Sequence, residues 1–153
     1  MKFEVIIRKN CNIKSRQWWL EYLKKLKGLL LKHLAESKFE LIKKSTLTLL
    51  ITNNTEIKKL NYKHRKINKP TDVLSFHLNK KEQIKNKYLG DIVISYEKAK
   101  KQADEKLFPR ESELLMLLIH SYLHLLGYDH KLKKDAKQMF KLQNKILLET
   151  LFY

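Results

Sequence analysis

The sequence predicts an α/β (α+β) fold with a single small mixed sheet of about four strands, about five helices, and a central buried helix that carries a metal site. Three observations support this prediction. Short β-branched and apolar segments alternate with longer segments whose apolar residues recur at helical spacing. One late helical segment is almost uniformly apolar, which is typical of a buried helix. At its end, three of the chain's six histidines lie close together.

Four segments have the composition of β-strands. Residues 3–8 alternate between apolar and polar side chains, and residues 46–51 are β-branched and apolar. Residues 70–76 open with a proline, which favours an extended chain. Residues 89–95 form a nearly continuous apolar run, which is typical of a strand buried on both faces.

Five segments have helical periodicity. The first covers residues 15–36, where Ser15 is the expected N-cap, and a short helix follows from about residue 54. The others cover residues 96–106, 111–126 and 132–151. The helix over residues 111–126 is expected to be the central buried one.

Composition predicts one domain, residues 1–153, in a reducing compartment. Apolar residues make up 43% of the 153 residues, and no apolar run is long enough for a membrane span. The first residues lack the apolar segment and the cleavage site of a signal peptide. Cys11 is the single cysteine, so it is expected to pack in the core rather than to form a disulfide or act as a nucleophile. The sequence therefore predicts a cytoplasmic protein without a membrane partner.

The net charge of +17 favours a phosphate-rich partner such as a nucleic acid. The chain is also rich in lysine, isoleucine and asparagine, a pattern that genome base composition can produce without selection for binding. Charge thus supports nucleic-acid binding without establishing it.

The spacing of the histidines predicts a metal site. His120 and His124 are four residues apart, so both imidazoles leave the same face of a helix. His130 can join them only if the helix ends and the chain turns back, and Gly127 is suited to the left-handed conformation that ends helices. Three imidazoles with an open fourth position are typical of catalytic zinc. The alternative is that His120 and His124 are core histidines and His130 is a surface residue.

Three further residues indicate which reaction a metal at this site would support. Zinc peptidases of similar spacing place a glutamate, their general base, directly after the first histidine, and Ser121 occupies that position here. Arg65 is a candidate for gripping a phosphate, because its planar guanidinium can bind two oxygens, although it can equally be an exposed charge. Asp129 can either hold a ligand imidazole in place or cap the next helix.

Three motifs resemble those of the YbeY family of bacterial endoribonucleases, also called rRNA maturation factors. The first is His120-x3-His124-Leu-Leu-Gly-Tyr-Asp-His130. The second joins Leu60-Asn-Tyr-Lys-His-Arg65 to Pro-Thr-Asp-Val-Leu-Ser-Phe at residues 70–76, and the third is Leu-Gly-Asp-Ile-Val-Ile at residues 89–94. They occur in one order from about residue 56 to the C-terminus.

The resemblance implies a metal-dependent endoribonuclease that acts on single-stranded RNA, in maturation of the 16S rRNA 3′ end and in ribosome quality control. It implies that His120, His124 and His130 bind one Zn²⁺ per chain and that Arg65 is the catalytic basic residue. Asp129 and Ser121 are expected as supporting residues around the metal.

Two residues depart from the family pattern. Ser121 stands where a glycine is usual, so its side chain can crowd the metal pocket or add a hydroxyl to it. His77 stands where a proline is usual, either near the cleft or, as the sequence favours, at an exposed strand end.

Two other functions stay open at this level. One is a non-enzymatic ribosome-assembly factor in which zinc stabilises the fold and a basic face holds rRNA. The other is a zinc peptidase with a base other than glutamate. The sequence does not predict an oligomeric state.

Overall fold

Four strands form one mixed sheet in the order β1-β2-β4-β3. The structure is a computed structural model that describes residues 1–11 and 14–153. The strands are β1 (Lys2–Ile7), β2 (Thr46–Thr52), β3 (Val73–Phe76) and β4 (Tyr88–Ser95). Strands β1, β2 and β4 are parallel, and β3 is antiparallel to β4 at the edge of the sheet. The predicted mixed sheet of four strands is confirmed.

The described ranges contain seven α-helices, two more than predicted. The long ones are α1 (Arg16–His33), α3 (Asn54–Arg65), α5 (Tyr96–Glu105), α6 (Arg110–Leu125) and α7 (Lys133–Phe152). The two additional helices are α2 (Phe39–Lys44), which follows a 3₁₀ turn at Glu36–Lys38, and α4 (Lys80–Asn86). Neither was predicted because six or seven residues are too few to establish helical periodicity.

Side-chain caps begin two of the helices that support the sheet, α1 and α3. The Ser15 hydroxyl accepts a hydrogen bond from the Trp18 N–H at 3.1 Å, so the predicted N-cap of α1 is confirmed. The Asn53 side chain caps α3 in the same way, accepting from the Glu56 N–H at 2.9 Å. These two caps therefore set the residues at which α1 and α3 begin.

Strand β4 is buried on both faces, as its apolar run predicts. Ile92 and Ile94 belong to the main core, which also contains the apolar faces of α1, α6 and α7. Val93 points to the other face, where it packs with Ile57 of α3 and Leu74 of β3. The sheet therefore lies between α3 on one side and a larger helical layer on the other.

Helix α6 is the central helix of that larger layer, and most of its residues are buried. Cys11 lies in the same core with 3% of its surface exposed, and burial raises the pKa of its thiol. Within the described part of the chain, no helix combines the length and the apolar character needed to cross a bilayer. Helix α6 thus presents its C-terminal end, with its two histidines, beside the edge of the sheet.

Candidate metal centre

A cavity of about 900 Å³ opens between the edge strand β3, the end of α3, and the turn that joins α6 to α7. Three groups of side chains line it. Arg65 comes from α3, residues 71–75 and His77 from the β3 segment, and the remainder from α6, the turn and α7. The last group includes His120, His124, Asp129, His130, Lys131, Phe140 and Gln143.

The turn after α6 has the geometry that the glycine predicts. Gly127 has a φ of +91°, in the region that favours glycine. Its N–H donates to the His124 carbonyl at 2.9 Å, and the Tyr128 N–H donates to the Leu123 carbonyl at 3.0 Å. These two bonds form a Schellman motif, which ends the helix and reverses the chain. The Lys38 ammonium donates to the Leu126 carbonyl, another free carbonyl at this end.

The reversal brings the three histidines together. One ligand nitrogen from each of His120, His124 and His130 lies within 4.8 Å of the others. The ring centroids of His120 and His124 are 4.6 Å apart, and His130 lies 5.4 Å and 5.0 Å from them. The predicted convergence of the three imidazoles is present, and these three side chains can hold a metal ion.

Hydrogen bonds orient two of the three imidazoles. Nδ1 of His120 lies 2.8 Å from Oε1 of the buried Gln143 side chain, and Nδ1 of His124 lies 2.8 Å from the Tyr128 carbonyl oxygen. Both partners are acceptors, so each Nδ1 carries the proton and each Nε2 carries a lone pair. This arrangement is typical of metal-binding histidines, whose second nitrogen donates to the protein.

The two Nε2 atoms face each other at 3.0 Å. Two unprotonated nitrogens at that distance repel unless a cation lies near both of them. Ligand nitrogens bound to one zinc ion each lie about 2.0–2.1 Å from it, so such pairs are necessarily within about 4.2 Å of each other. The donor set of His120 and His124 therefore fits a metal ion.

Burial favours the neutral form of both helical histidines. It lowers the pKa of His120 and of His124, and the neighbouring imidazoles lower the pKa further. Their hydrogen-bond acceptors, Gln143 and the Tyr128 carbonyl, act in the opposite direction but less strongly. Neutral imidazole is the form that binds metal, so lowering the pKa of His120 and His124 favours metal binding by these two side chains.

The Asp129 carboxylate is hydrogen-bonded neither to a ligand imidazole nor to the start of α7, the two contacts predicted for it. It accepts a hydrogen bond from the His130 N–H at 2.7 Å, and this bond lowers the pKa of Asp129. Helix α7 begins at Lys133, four residues after Asp129, and the residue before it, Leu132, makes no side-chain cap. Asp129 therefore holds the backbone of the turn that carries His130, rather than an imidazole ring or a helix end.

Ser121 does not belong to the cavity wall in the described structure. Its side chain is fully buried on another side of α6, and its hydroxyl has no hydrogen-bond partner among residues 1–11 and 14–153. The expectation that this hydroxyl crowds or extends the metal pocket is not met by any contact. The position directly after His120 points into the core because successive helical residues are rotated by about 100°.

Arg65 and His77 both lie at the cavity. Arg65 is the last residue of α3 and lines the same cavity as the histidines. His77 follows β3 and lines the same cavity, with its Nδ1 2.8 Å from the Leu78 carbonyl oxygen. His77 is exposed just after the end of β3, as the sequence favours, and it also lies near the cleft, so the two positions considered for it are compatible.

Sequence reasoning missed Gln143 and Phe140. Gln143 is 6% exposed on α7, in line with the buried Met139 and Ile146, so a polar residue in an apolar stripe was the available signal. Phe140 lies nearly parallel to His130, with ring centroids 6.0 Å apart. No signal in the sequence distinguishes Phe140 from a core residue.

Comparison with known proteins identifies the family. The family model described as Endoribonuclease YbeY matches residues 11–150 of this chain. The chain belongs to the YbeY family. Relatives named Endoribonuclease YbeY include one from Pelagibacter ubique, 50% identical over 100 residues that cover 65% of each chain. Another, from Sulfurihydrogenibium, is 38% identical over 138 residues, which cover 90% of this chain and 87% of the relative.

The aligned part of the chain spans about two thirds of the length of the YbeY proteins of Pelagibacter ubique and Persephonella marina. The fold similarity is more extensive. A solution structure of a Thermotoga maritima protein superposes with a TM-score of 0.66 at 30% identity, covering 97% of this chain and 88% of that one. The family match thus covers strands β2, β3 and β4 and the histidine turn, and the fold similarity covers almost the whole chain.

Proposed function

We propose that this protein is a zinc-dependent endoribonuclease that cleaves single-stranded RNA. One observation carries the proposal: three imidazoles converge at the wall of a cavity that also presents an arginine, in a chain of net charge +17. The relatives' name, Endoribonuclease YbeY, supports the same activity. From the family resemblance we further propose that the substrate is the 3′ end of 16S rRNA, in the cytoplasm, during ribosome maturation and quality control.

The proposed site assigns one part to each wall of the cavity. His120, His124 and His130 would hold the ion, and Zn²⁺ is proposed because three neutral imidazoles suit it. A zinc ion bound in this way lowers the pKa of a bound water and polarises a phosphoryl oxygen. Gln143 and the Tyr128 carbonyl keep the ligand nitrogens of His120 and His124 unprotonated and aimed at the cavity.

Arg65 would stabilise the negative charge that develops on the scissile phosphate. Its guanidinium can donate two parallel hydrogen bonds to phosphate oxygens, and such charge stabilisation is commonly the largest contribution to catalysis of this kind. The carboxylates at the cavity, Asp72 and Asp129, both accept hydrogen bonds from the protein, and neither follows the first histidine as the base of zinc peptidases does. The buried Ser121 adds no base either.

The proposal is tested by measuring zinc content and RNA cleavage on the same preparations. His124→Ala should lose both the metal and cleavage, because two nitrogens remain where three are needed. Arg65→Ala should keep the metal and lose about 100-fold or more in kcat, since one fixed positive charge on the reacting phosphate is removed. His33→Gln is the matched control, because His33 contacts Glu149 away from the cavity.

Either of two results contradicts the proposal. One is a wild-type protein that binds zinc and cleaves no RNA, which would favour the ribosome-assembly factor. The other is a His124→Ala variant that cleaves at the wild-type rate.

A further inference from the structure

The edge strand β3 has an open side that forms one wall of the cavity. It is the last strand in the order β1-β2-β4-β3, and in the described structure it pairs only with β4. Val73, Ser75 and His77 of this segment all line the cavity that contains the three histidines. The open edge of β3 therefore borders the cavity that contains the candidate metal centre.

The register of the sheet shows which backbone groups face the cavity. Val73 lies opposite Ile94, so Asp72 lies opposite Ser95, whose N–H donates to the Asp72 carbonyl at 2.8 Å. Hydrogen-bonded and non-bonded pairs alternate along an antiparallel ladder. Residues 72, 74 and 76 therefore bond to β4, whereas Val73 and Ser75 direct their N–H and C=O groups away from the sheet.

The open edge is partly occupied by the protein itself. The Val73 N–H donates to the Asp72 carboxylate at 2.8 Å, and that carboxylate also accepts from Thr71 and Gln102, both at 3.2 Å. The Ser75 N–H and C=O have no such partner among the residues that the structure describes. The Val73 C=O likewise has no partner in that part of the chain, so one donor and two acceptors are left along the open edge, and only Ser75 contributes both kinds.

The strand that carries this pair is firmly held. Leu74 is 3% exposed and packs with Ile57 and Val93 on the α3 side of the sheet, where Phe76 joins them. The side chains on either side of Ser75 therefore anchor β3 by its other face. An edge fixed in this way is preorganised, so a ligand that binds to it does not lose affinity to the ordering of the strand.

The charges at the cavity indicate which extended chain fits the edge. Arg65, Lys131 and His77 line it, and the carboxylates of Asp72 and Asp129 are already hydrogen-bonded within the protein. A phosphodiester backbone offers one negative charge per nucleotide, whereas a polypeptide backbone offers none. Charge complementarity therefore favours a nucleic acid strand over a peptide.

We propose that single-stranded RNA binds in an extended conformation along the open edge of β3. The Ser75 N–H donates to a non-bridging phosphate oxygen, and the Ser75 C=O accepts from a ribose hydroxyl. This inference rests on the proposed function and adds the element that positions the substrate beside the metal. Only an unpaired strand can follow a single sheet edge in this way, so β3 also gives a physical reason for single-strand preference.

A pair of substitutions separates the backbone donor from the side chain. Ser75→Pro removes the outward N–H without removing a ladder bond to β4, and edge strands tolerate proline at such positions. It should raise KM for a single-stranded RNA about tenfold, the effect of one lost charge-assisted hydrogen bond, with kcat and zinc content near wild type. Ser75→Ala keeps the N–H, so its KM should stay well below that of Ser75→Pro.

Equal KM values for the two variants would overturn the inference, whether both values match the wild type or both rise. A wild-type protein that cleaves no RNA would instead contradict the proposed function, so the two failures are distinct.

Amide exchange on the unmodified, zinc-loaded protein tests the inference even if the proline variant does not fold. At 18.4 kDa the chain is small enough for residue-resolved exchange by NMR. The Ser75 amide should exchange rapidly in the free protein and at least about tenfold more slowly with a single-stranded 2′-O-methyl RNA octamer. This probe resists cleavage and keeps the phosphate oxygens that the N–H contacts, but it lacks the hydroxyl from which the C=O would accept a hydrogen bond, so the experiment tests the N–H contact alone. The Leu74 and Phe76 amides should be protected in both states.

Two outcomes of the exchange experiment overturn the inference. One is a Ser75 amide whose exchange rate does not change with the RNA. The other is protection by an uncharged extended peptide of the same length and not by the RNA, which would assign the edge to a polypeptide.

Discussion

At the scale of single residues, the site depends on which nitrogen of each imidazole carries the proton. His120 and His124 both have an acceptor at Nδ1, one a side-chain amide and the other a backbone carbonyl. The backbone acceptor comes from Tyr128, in the turn that Gly127 permits, so the helix end orients His124 as well as His130. The side-chain acceptor, Gln143, lies on α7, and a substitution there can remove the hydrogen bond to His120.

Replacement of Gln143 should weaken metal binding without removing a ligand. Gln143→Leu deletes the acceptor for the His120 Nδ1–H, and loss of such a partner typically lowers metal affinity about 10- to 100-fold. Gln143→Glu keeps an acceptor at the same reach and should bind zinc at least as tightly as the wild type. Competition with a chromogenic chelator measures both affinities. If the leucine variant binds zinc as tightly as the wild type, the Gln143 bond does not orient His120.

At the scale of elements, the three glycines of the chain have three different positions. Gly127 ends α6 with a positive φ, and Gly90 in β4 lies against the carbonyl of Phe76 in β3. A Cβ on Gly90 would lie 2.2 Å from that carbonyl oxygen, so β3 can pair with β4 here only because no side chain is present. Gly28, in α1, has open space around its missing Cβ.

Alanine at each glycine should therefore change stability in a different way. Gly127→Ala should cost about 1–2 kcal/mol, because the left-handed conformation is unfavourable for alanine. Gly90→Ala should cost about 3 kcal/mol or more, since backbone must move to relieve the clash. Gly28→Ala should stabilise α1 by about 0.5–1 kcal/mol. Urea unfolding of the metal-free proteins measures all three.

The same variants report on the site. Gly127→Ala should also weaken zinc binding because it shifts the turn that carries His130, whereas Gly28→Ala should not. A destabilising Gly28→Ala, or a neutral Gly90→Ala, would show that the helix α1 environment or the β3–β4 pairing differs from this structure.

At the scale of the whole molecule, apolar side chains form the core and the histidines form the metal centre, and Leu74 and Leu117 of the core also line the cavity. The main core joins the sheet to α1, α6 and α7 through apolar side chains, and a second cluster joins the sheet to α3. The three histidines lie at the cavity rather than in either cluster. The apolar contacts of the core therefore do not require a metal.

Removal of the metal should leave the protein folded. After chelation, far-UV circular dichroism should be unchanged and urea unfolding should stay cooperative. The free energy of unfolding should fall only by the binding contribution, about 2.7 kcal/mol for zinc at 100 times its Kd. RNA cleavage should be lost and should return when zinc is added. Loss of cooperative unfolding on chelation would instead indicate a structural metal and support the assembly-factor function.

The sequence by itself determined the four strands, the five long helices and the three converging histidines. These features depend on local patterns: apolar periodicity, the Ser15 cap, and the spacing around Gly127, all read over a few residues. The tertiary structure alone decided which distant residues meet. Gln143 reaches His120 across 23 positions, and Arg65, His77 and the open edge of β3 share one cavity only because the strand order places β3 last. No local sequence pattern predicts these contacts, because they depend on how α7 and β3 pack beside α6.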